Sequence, residues 1–192
     1  MSVYRNKSDK TLMEMIRYGD EEAFAELYHR YSHRMLRYFF RMLGKNEEKA
    51  QDFLQELFMK VVEKSHLYNS QHKFSTWLFS MAGNMCKNEY RSLEVRKIMT
   101  VTDELGHIRD QTLSIEHQLD HQQFECCLNE VLKQLGTSHQ EVFVLRYQQE
   151  LSIKEISEIL NCAEGTVKSR IFYALRKLSD KLAVFRGLTN GK

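Results

Sequence analysis

The chain has 192 residues, of which 42% are hydrophobic and 28% are charged, and its formal net charge is +2 at pH 7. No apolar run approaches the roughly 20 residues that cross a bilayer, and residues 1–10 lack the apolar segment of a secretion signal. We therefore expect a globular, cytoplasmic protein. The four cysteines contain no C-x-x-C pair, which favours free thiols over disulfides.

The composition also indicates the fold class. Proline is absent and there are only eight glycines, so the turns must rely on Gly, Asn and Ser. Strict alternation of apolar and polar residues, the pattern of a half-buried β-strand, is hard to find anywhere in the chain. The sequence therefore predicts an all-α fold.

The N-terminal half contains four segments whose apolar residues keep helical spacing. The four predicted helices cover residues 8–18, 20–44, 46–65 and 74–97. Asp20 and Asn46 are the predicted N-caps of the second and third helices, and Val61 and Val62 are predicted to face inward. We expect these helices to form a compact four-helix bundle within residues 1–98.

The helical pattern is lost between the two halves of the chain. Residues 99–117 mix acidic residues with isolated apolar ones around Gly106, and we place an interdomain linker there. Helical spacing then returns and predicts a second helical domain, residues 118–192. A unit of roughly 70 residues is marginal but viable as a fold of its own.

Residues 152–178 hold two short helical patterns joined by a tight turn, which is typical of a helix-turn-helix. Ser152 and Glu155 form a capping box at the start of the first helix. Asn161 lies where the chain must turn with positive φ, a conformation that Asn tolerates better than most residues. The start and the end of the first helix are therefore well defined.

The second helix of this motif is predicted to read duplex DNA. Val167, Ile171 and Leu175 form the predicted stripe against the first helix. The other face suits base edges and phosphates in a major groove roughly 12 Å wide. Its candidate DNA-binding residues are Thr166, Lys168, Ser169, Arg170, Tyr173, Arg176 and Lys177. Arg170 is the best candidate for a bidentate contact to guanine.

Helix-turn-helix domains occur in repressors, activators and polymerase subunits. The N-terminal half of the chain indicates which of these classes this protein resembles. Residues 52–58 read DFLQELF, residues 74–78 read FSTWL and residues 81–84 read MAGN, with Asn88 and Arg91 beyond them. This order resembles the second conserved region of bacterial RNA polymerase sigma factors, where D-x-x-Q-E-x-F precedes F-x-x-W-L-x-x-I-A-x-N-x-x-x-D-x-x-R.

The C-terminal half resembles the fourth region of the same family. Residues 142–178 resemble the pattern of that region, which includes V-F-x-L-R-Y, L-S-x-x-E-I-A and G-T-V-K-S-R-x-x-x-A-L-x-x-L in this order. Nothing in the sequence resembles the first or third sigma region, and this two-region form is that of the extracytoplasmic-function subfamily. Ala163 stands where the family usually has a serine N-cap, which should cost on the order of 1 kcal/mol.

The resemblance implies partners rather than a cofactor. In this family region two binds the β′ clamp helices of core RNA polymerase and melts the promoter −10 element, while region four sits on the β flap and reads the −35 element. By position, Asp52, Gln55 and Glu56 are the polymerase-binding candidates, because they lie opposite the apolar side of their helix. Family members are usually held inactive by an anti-sigma protein, often membrane-embedded.

Candidates for the −10 element lie on the fourth predicted helix and the loop before it. Opening a promoter requires a surface for the DNA backbone and a platform for an unstacked base. The polar helix residues that suit the first requirement are Asn84, Lys87, Asn88 and Arg91. The loop residues His66, Tyr68, Asn69 and His72 either hold the extruded base or merely connect two helices. Trp77 lies on the apolar stripe and is predicted to belong to the core.

Two other functions remain open on the residues alone. One is a helix-turn-helix regulator that binds an operator as a dimer. Co-purification with core polymerase would distinguish a polymerase subunit from such a regulator. The other is a metal-dependent sensor or enzyme, because His117, His121 and Glu125 lie at four-residue spacing. No second cluster completes a tetrahedral site and no catalytic motif occurs, so we predict neither a metal site nor an enzyme.

Overall fold

The computed structural model describes residues 3–100, 128, 130–132 and 134–182. No strand occurs among these residues, which form helices joined by turns and short loops, and this confirms the all-α prediction. Residues 101–117 of the predicted linker lie outside the described residues. Within the described ranges, no helix combines the length and the apolar character needed to cross a membrane.

Residues 3–100 contain the four predicted α-helices. These are α1 (Asp9–Arg17), α2 (Glu21–Met42), α3 (Glu47–Glu63) and α4 (Phe74–Thr100), with short 3-10 turns at Val3–Asn6 and Ser65–Leu67. The Asp20 carboxylate accepts the amide of Ala23 at 2.9 Å, and the Asn46 side chain accepts the amide of Lys49 at 2.9 Å. Both predicted N-caps are therefore confirmed.

The N-terminal core is rich in aromatic side chains. Tyr38, Phe39 and Phe79 are buried, and the rings of Tyr38 and Phe79 meet edge to face with their centroids 5.3 Å apart. Val61 is buried as predicted, but the prediction for Val62 is wrong, because its side chain is 46% exposed. Val62 lies one residue past the inward position, and a step of about 100° per residue turns it toward solvent.

The C-terminal part contains the helix-turn-helix and a helix before it. Helix α5 (Thr137–Phe143) continues as a π-helical turn (Val144–Gln148), and the motif itself consists of α6 (Ile153–Leu160) and α7 (Glu164–Leu182). The capping box of Ser152 and Glu155 is confirmed, and Asn161 has the predicted positive φ, 48°. Leu175, predicted to face α6, is exposed. Ala174 and Leu178 are buried instead, because they follow Ile171 at three- and seven-residue spacing.

The two halves of the chain share one hydrophobic core. Helix α6 packs against α4, and Ile156 and Ile159 of α6 belong to the same buried cluster as Leu78 and Phe79 of α4. A smaller cluster, confined to the C-terminal part, comprises Val131, Leu132, Leu135, Phe143, Ala174 and Leu178. The helix-turn-helix therefore depends on the bundle for part of its apolar burial.

Ala163 precedes α7 and is exposed, so the first turn of this helix lacks a side-chain cap at that position. We expect Ala163→Ser in the full chain to raise the melting temperature by about 2–4 °C, since a serine N-cap contributes about 1 kcal/mol. Thermal unfolding followed by circular dichroism measures this shift. Ala163→Val, which adds volume without an acceptor, is the control and should give no increase; an unchanged Ala163→Ser would contradict the capping argument.

Candidate nucleic-acid and polymerase interfaces

The outer face of α3 is exposed along its length. Asp52, Gln55 and Glu56 all lie on this face, and Glu56 forms an i,i+4 ion pair with Lys60 at 3.0 Å. Met59 lies on the same face and its side chain is 72% exposed. An unbranched apolar side chain surrounded by polar groups is a common feature of protein-binding surfaces. Sequence reasoning missed Met59, although an apolar residue on a polar helical face was the available signal.

The candidate DNA-binding residues on the polar face of α4 differ in exposure. Asn84, Asn88 and Arg91 are exposed at spacings of four and three residues, as the sequence predicted. Lys87 is partly buried, and its Nζ lies 3.3 Å from the Glu141 carboxylate of α5. The structure therefore brings three of the four candidates to the surface together and pairs the fourth with the helix-turn-helix part.

The loop between α3 and α4 is held by hydrogen bonds to its backbone. Arg17 of α1 donates to the carbonyl oxygens of Ser65 and Tyr68, both at 3.3 Å. The Tyr68 hydroxyl donates to the His72 carbonyl at 2.8 Å, and the Asn69 side chain accepts the Gln71 amide at 2.9 Å. These bonds give the loop a defined shape without a regular element.

The four loop candidates differ in exposure, since His66 and His72 are exposed whereas Tyr68 is buried. Tyr68 is only 7% exposed, and its ring packs against Phe74 and Trp77 with centroids 6.0 and 5.4 Å away. Asn69 is exposed. Trp77 is partly buried against the core, in agreement with its predicted place on the apolar stripe.

A cleft of about 450 Å³ opens beside this loop. It is lined by Asp9, Lys10, Tyr31, Tyr68, Ser70, Gln71, His72, Lys73, Phe74 and Ser75. Asp9 pairs with Arg30 at 2.7 Å and accepts a hydrogen bond from the Tyr31 hydroxyl. Burial, and then this bond to Asp9, raise the pKa of Tyr31. The cleft thus combines aromatic walls with polar groups, and sequence reasoning missed Asp9 and Tyr31 because they come from distant parts of the chain.

The outward face of α7 carries the predicted DNA-binding residues. Lys168, Ser169, Tyr173, Arg176 and Lys177 are exposed, whereas Thr166 and Arg170 are half-buried. The Lys177 ammonium donates to the Gln134 carbonyl at 2.6 Å. The exposed ring of Phe172 lies next to Tyr173, with the ring centroids 5.7 Å apart. The sequence prediction omitted Phe172, which adds an apolar surface to a basic face.

Glu155 joins the helix-turn-helix to the bundle. Its carboxylate accepts hydrogen bonds from the Ser152 amide at 3.0 Å and from the Ser152 hydroxyl at 2.8 Å. It also pairs with Lys73, which precedes α4, at 2.8 Å. The bond from Lys73 and then those from Ser152 lower the pKa of Glu155 to about 2.

Across the described part of the chain, no group of three or more His, Cys, Asp or Glu side chains is placed to hold a metal ion. His117, His121 and Glu125, the alternative raised by the sequence, lie outside the described residues. Cys86 and Cys162 are free thiols, and burial raises the pKa of Cys86.

Comparison with known proteins decides the family. Residues 27–95 match Sigma-70 region 2, and residues 127–178 match Sigma-70, region 4. The chain is 32% identical over 181 residues to the ECF RNA polymerase sigma factor SigW of Bacillus subtilis (strain 168), which covers 90% of this chain and 96% of that relative. The chain belongs to the extracytoplasmic-function family of RNA polymerase sigma factors. As a sigma factor it acts in promoter-directed transcription initiation by RNA polymerase.

Other relatives agree with this assignment. The RNA polymerase sigma-H factor of Pseudomonas aeruginosa is 30% identical to this sigma factor over 182 residues, which covers 91% of this chain and 93% of that protein. The solved structure of CnrH, in complex with the cytosolic domain of CnrY, matches with a TM-score of 0.69 at 23% identity, over 93% of this chain and 99% of that one. RpoE of Bartonella quintana, in complex with the anti-sigma factor NepR, matches with a TM-score of 0.66 at 20% identity, over 85% and 98%. These structures share the fold.

The lowered pKa of Glu155 predicts a pH-dependent contribution to stability. Because the folded-state pKa lies below the unfolded value of about 4.3, this contribution is present above that value and is lost as the pH falls toward about 2. Glu155→Gln should therefore lower the melting temperature at pH 7, and the difference from the unmodified chain should shrink at pH 3. Glu158→Gln, the same change at an exposed position of α6, should have little effect at either pH. A difference that is equal at both pH values would contradict the assignment.

Proposed function

We propose that this sigma factor binds polymerase and promoter DNA through three separate surfaces. The exposed face of α3 binds core RNA polymerase, α4 and the loop before it engage the −10 element, and α7 reads the −35 element. The observation that carries this proposal is the exposure of Asp52, Gln55, Glu56 and Met59 on one helical face with the −10 candidates on another element. Separate surfaces allow one small chain to contact polymerase and DNA at once. The protein acts by binding, in the cytoplasm, rather than by catalysis.

The polymerase surface consists of the acidic and amide groups of α3 around Met59. Asp52 and Glu56 supply negative charge for steering, and Met59 supplies an apolar anchor that is buried on association. We assign this surface to the clamp helices of the β′ subunit, and assign the β flap to the helix-turn-helix part. Membership of the sigma-factor family supports both assignments.

Met59→Gln tests the anchor. Gln is a helix former of similar length, so the fold should keep its stability, while affinity for core polymerase should fall by about tenfold, the effect of losing an interface residue worth more than 1 kcal/mol. Val3→Gln is the matched control, because Val3 is an exposed apolar side chain away from α3. Binding to labelled core enzyme, with melting curves for both variants, measures the effect. Wild-type affinity for Met59→Gln would exclude Met59 from the interface.

The −10 surface combines a backbone-binding helix with a cleft. Asn84, Asn88 and Arg91 offer hydrogen-bond donors and one positive charge along α4, with Lys87 beside them. The cleft beside Asn69 has the aromatic walls and polar groups that hold an unstacked base. We propose that Tyr68 fixes the shape of this cleft, because its ring is buried against Phe74 and Trp77.

The −35 surface is the outward face of α7. Lys168, Arg176 and Lys177 contact phosphates, while Arg170 reads a guanine edge, with Thr166, Ser169 and Tyr173 completing the surface. A side chain held by packing is better suited to base recognition than a freely moving one, and Arg170 is half-buried.

Arg170→Ala tests this division of roles in the assembled holoenzyme. We expect discrimination between a promoter and a sequence altered in its −35 element to fall by about 1–3 kcal/mol, with affinity for core polymerase unchanged. Lys168→Ala, the control, should weaken binding to both sequences by similar factors and reduce the salt dependence. If Arg170→Ala weakens core binding and promoter binding equally, the assignment is wrong.

We further propose that an anti-sigma protein regulates this chain by covering the same surfaces. The Bartonella quintana relative with the shared fold was solved with an anti-sigma factor. The exposed apolar side chains of Met59 and Phe172 give such a partner surface to bury on both parts of the chain.

A further inference from the structure

The contact between the bundle and the helix-turn-helix part includes polar groups as well as the shared apolar core. Arg34 of α2 donates to the Gln149 carbonyl at 2.6 Å and to the Gln149 side chain at 3.1 Å, and its guanidinium lies 5.0 Å from the centroid of the Phe79 ring. Gln140 of α5 donates to the Arg41 carbonyl at 3.1 Å. These bonds hold the two parts in one closed arrangement.

At this contact a carboxylate is buried. Glu141 is 2% exposed, and it packs so closely on α4 that a Cβ atom at Gly83 would lie 2.5 Å from its Oε1. Its other oxygen, Oε2, pairs with Lys87 at 3.3 Å. Burial raises the pKa of Glu141, while the positive charges of Lys87 and Arg170 act in the opposite direction. The carboxylate thus lies near one cation from each part of the chain.

One oxygen of this carboxylate is only weakly hydrogen-bonded. Among the described residues, Glu141 Oε1 and the buried Tyr38 hydroxyl have no well-formed hydrogen bond besides the poorly aligned one that they make with each other. A buried carboxylate with one weakly bonded oxygen keeps a large desolvation cost. Such a group suits a contact that opens and closes better than a permanent core.

Both cations near Glu141 belong to surfaces that we have assigned to DNA. Lys87 lies on the polar face of α4 and Arg170 on α7. A phosphate and the Glu141 carboxylate are both anions that accept hydrogen bonds from the same ammonium group, so they compete for Lys87. In the closed arrangement the carboxylate is paired with the ammonium group that the proposed −10 surface offers to the DNA backbone.

We propose that Glu141 is an internal competitor of promoter DNA, which holds the free sigma factor closed by occupying Lys87. This proposal rests on the proposed function, because it takes the DNA role of Lys87 from there. The closed form reduces the apparent DNA affinity in proportion to the fraction of molecules that are open. Release of Glu141 from Lys87 is therefore the step that frees the DNA surface of α4.

Glu141→Lys in the full chain tests the closed arrangement, because it places a third cation against Lys87 and Arg170. Small-angle X-ray scattering of the free protein should show a radius of gyration on the order of 3 Å above the roughly 16 Å of a compact chain of this length. Glu63→Lys, the same charge change on an exposed residue of α3, is the control and should scatter like the unmodified protein. A folded Glu141→Lys that stays as compact as the control overturns the proposal.

A double variant with the two charges exchanged tests the proposal if Glu141→Lys alone fails to fold. Glu141→Lys combined with Lys87→Glu restores opposite charges at the same two positions, so it should be folded by circular dichroism and as compact as the unmodified chain. An exchanged pair that is unfolded or expanded overturns the proposal. Scattering needs neither polymerase nor DNA, so its result is independent of the proposed function.

DNA affinity tests the competition. In fluorescence anisotropy with a labelled promoter duplex, Glu141→Lys should bind about fivefold or more tightly than Glu63→Lys, which carries the same net charge; couplings between sites are typically of this size. Opening without this gain would overturn the role of Glu141 as a competitor. Failure of the Arg170→Ala experiment described above would instead count against the proposed function.

Discussion

The packing of α6 against α4 is the constraint on which the rest of the molecule depends. Ile156 and Ile159 are buried in the cluster that contains Leu78 and Phe79, and burying each such side chain contributes about 1.5–3 kcal/mol. This apolar term is non-directional and brings the two sigma regions together. The polar groups at their contact then orient the regions relative to each other. The fold and the regulation that we propose therefore depend on the same surface.

Local elements of the fold were predictable because their signals lie within a few residues. The caps at Asp20 and Asn46, the capping box of Ser152 and Glu155, and the turn at Asn161 are all short-range hydrogen-bonding or backbone preferences, and all are present. Errors arose one residue away from a correct stripe, as at Val62, where periodicity alone does not define the edge of the buried face. The shared core was not anticipated, since the same apolar residues suit two separate domains equally well.

The candidate surfaces were predictable where they lie on one helix. Asn84, Asn88 and Arg91 follow from spacing, whereas Asp9 and Tyr31 join the loop cleft only through tertiary packing. The pairing of Lys87 with Glu141 likewise joins positions that are far apart in sequence. Met59 was within reach of the sequence, because an apolar residue on an otherwise polar face is visible without a structure. What sequence reasoning lacks is the set of contacts between distant segments.

The shared core has a practical consequence for dividing this protein into fragments. A C-terminal fragment would carry the apolar side chains of Val142, Leu145 and Ile156 without the helices that now bury them. Exposed apolar surface of this kind promotes aggregation. Work on the helix-turn-helix part in isolation would therefore need polar replacements at the severed face, or a solubilising partner, before its behaviour reflected that of the intact polypeptide.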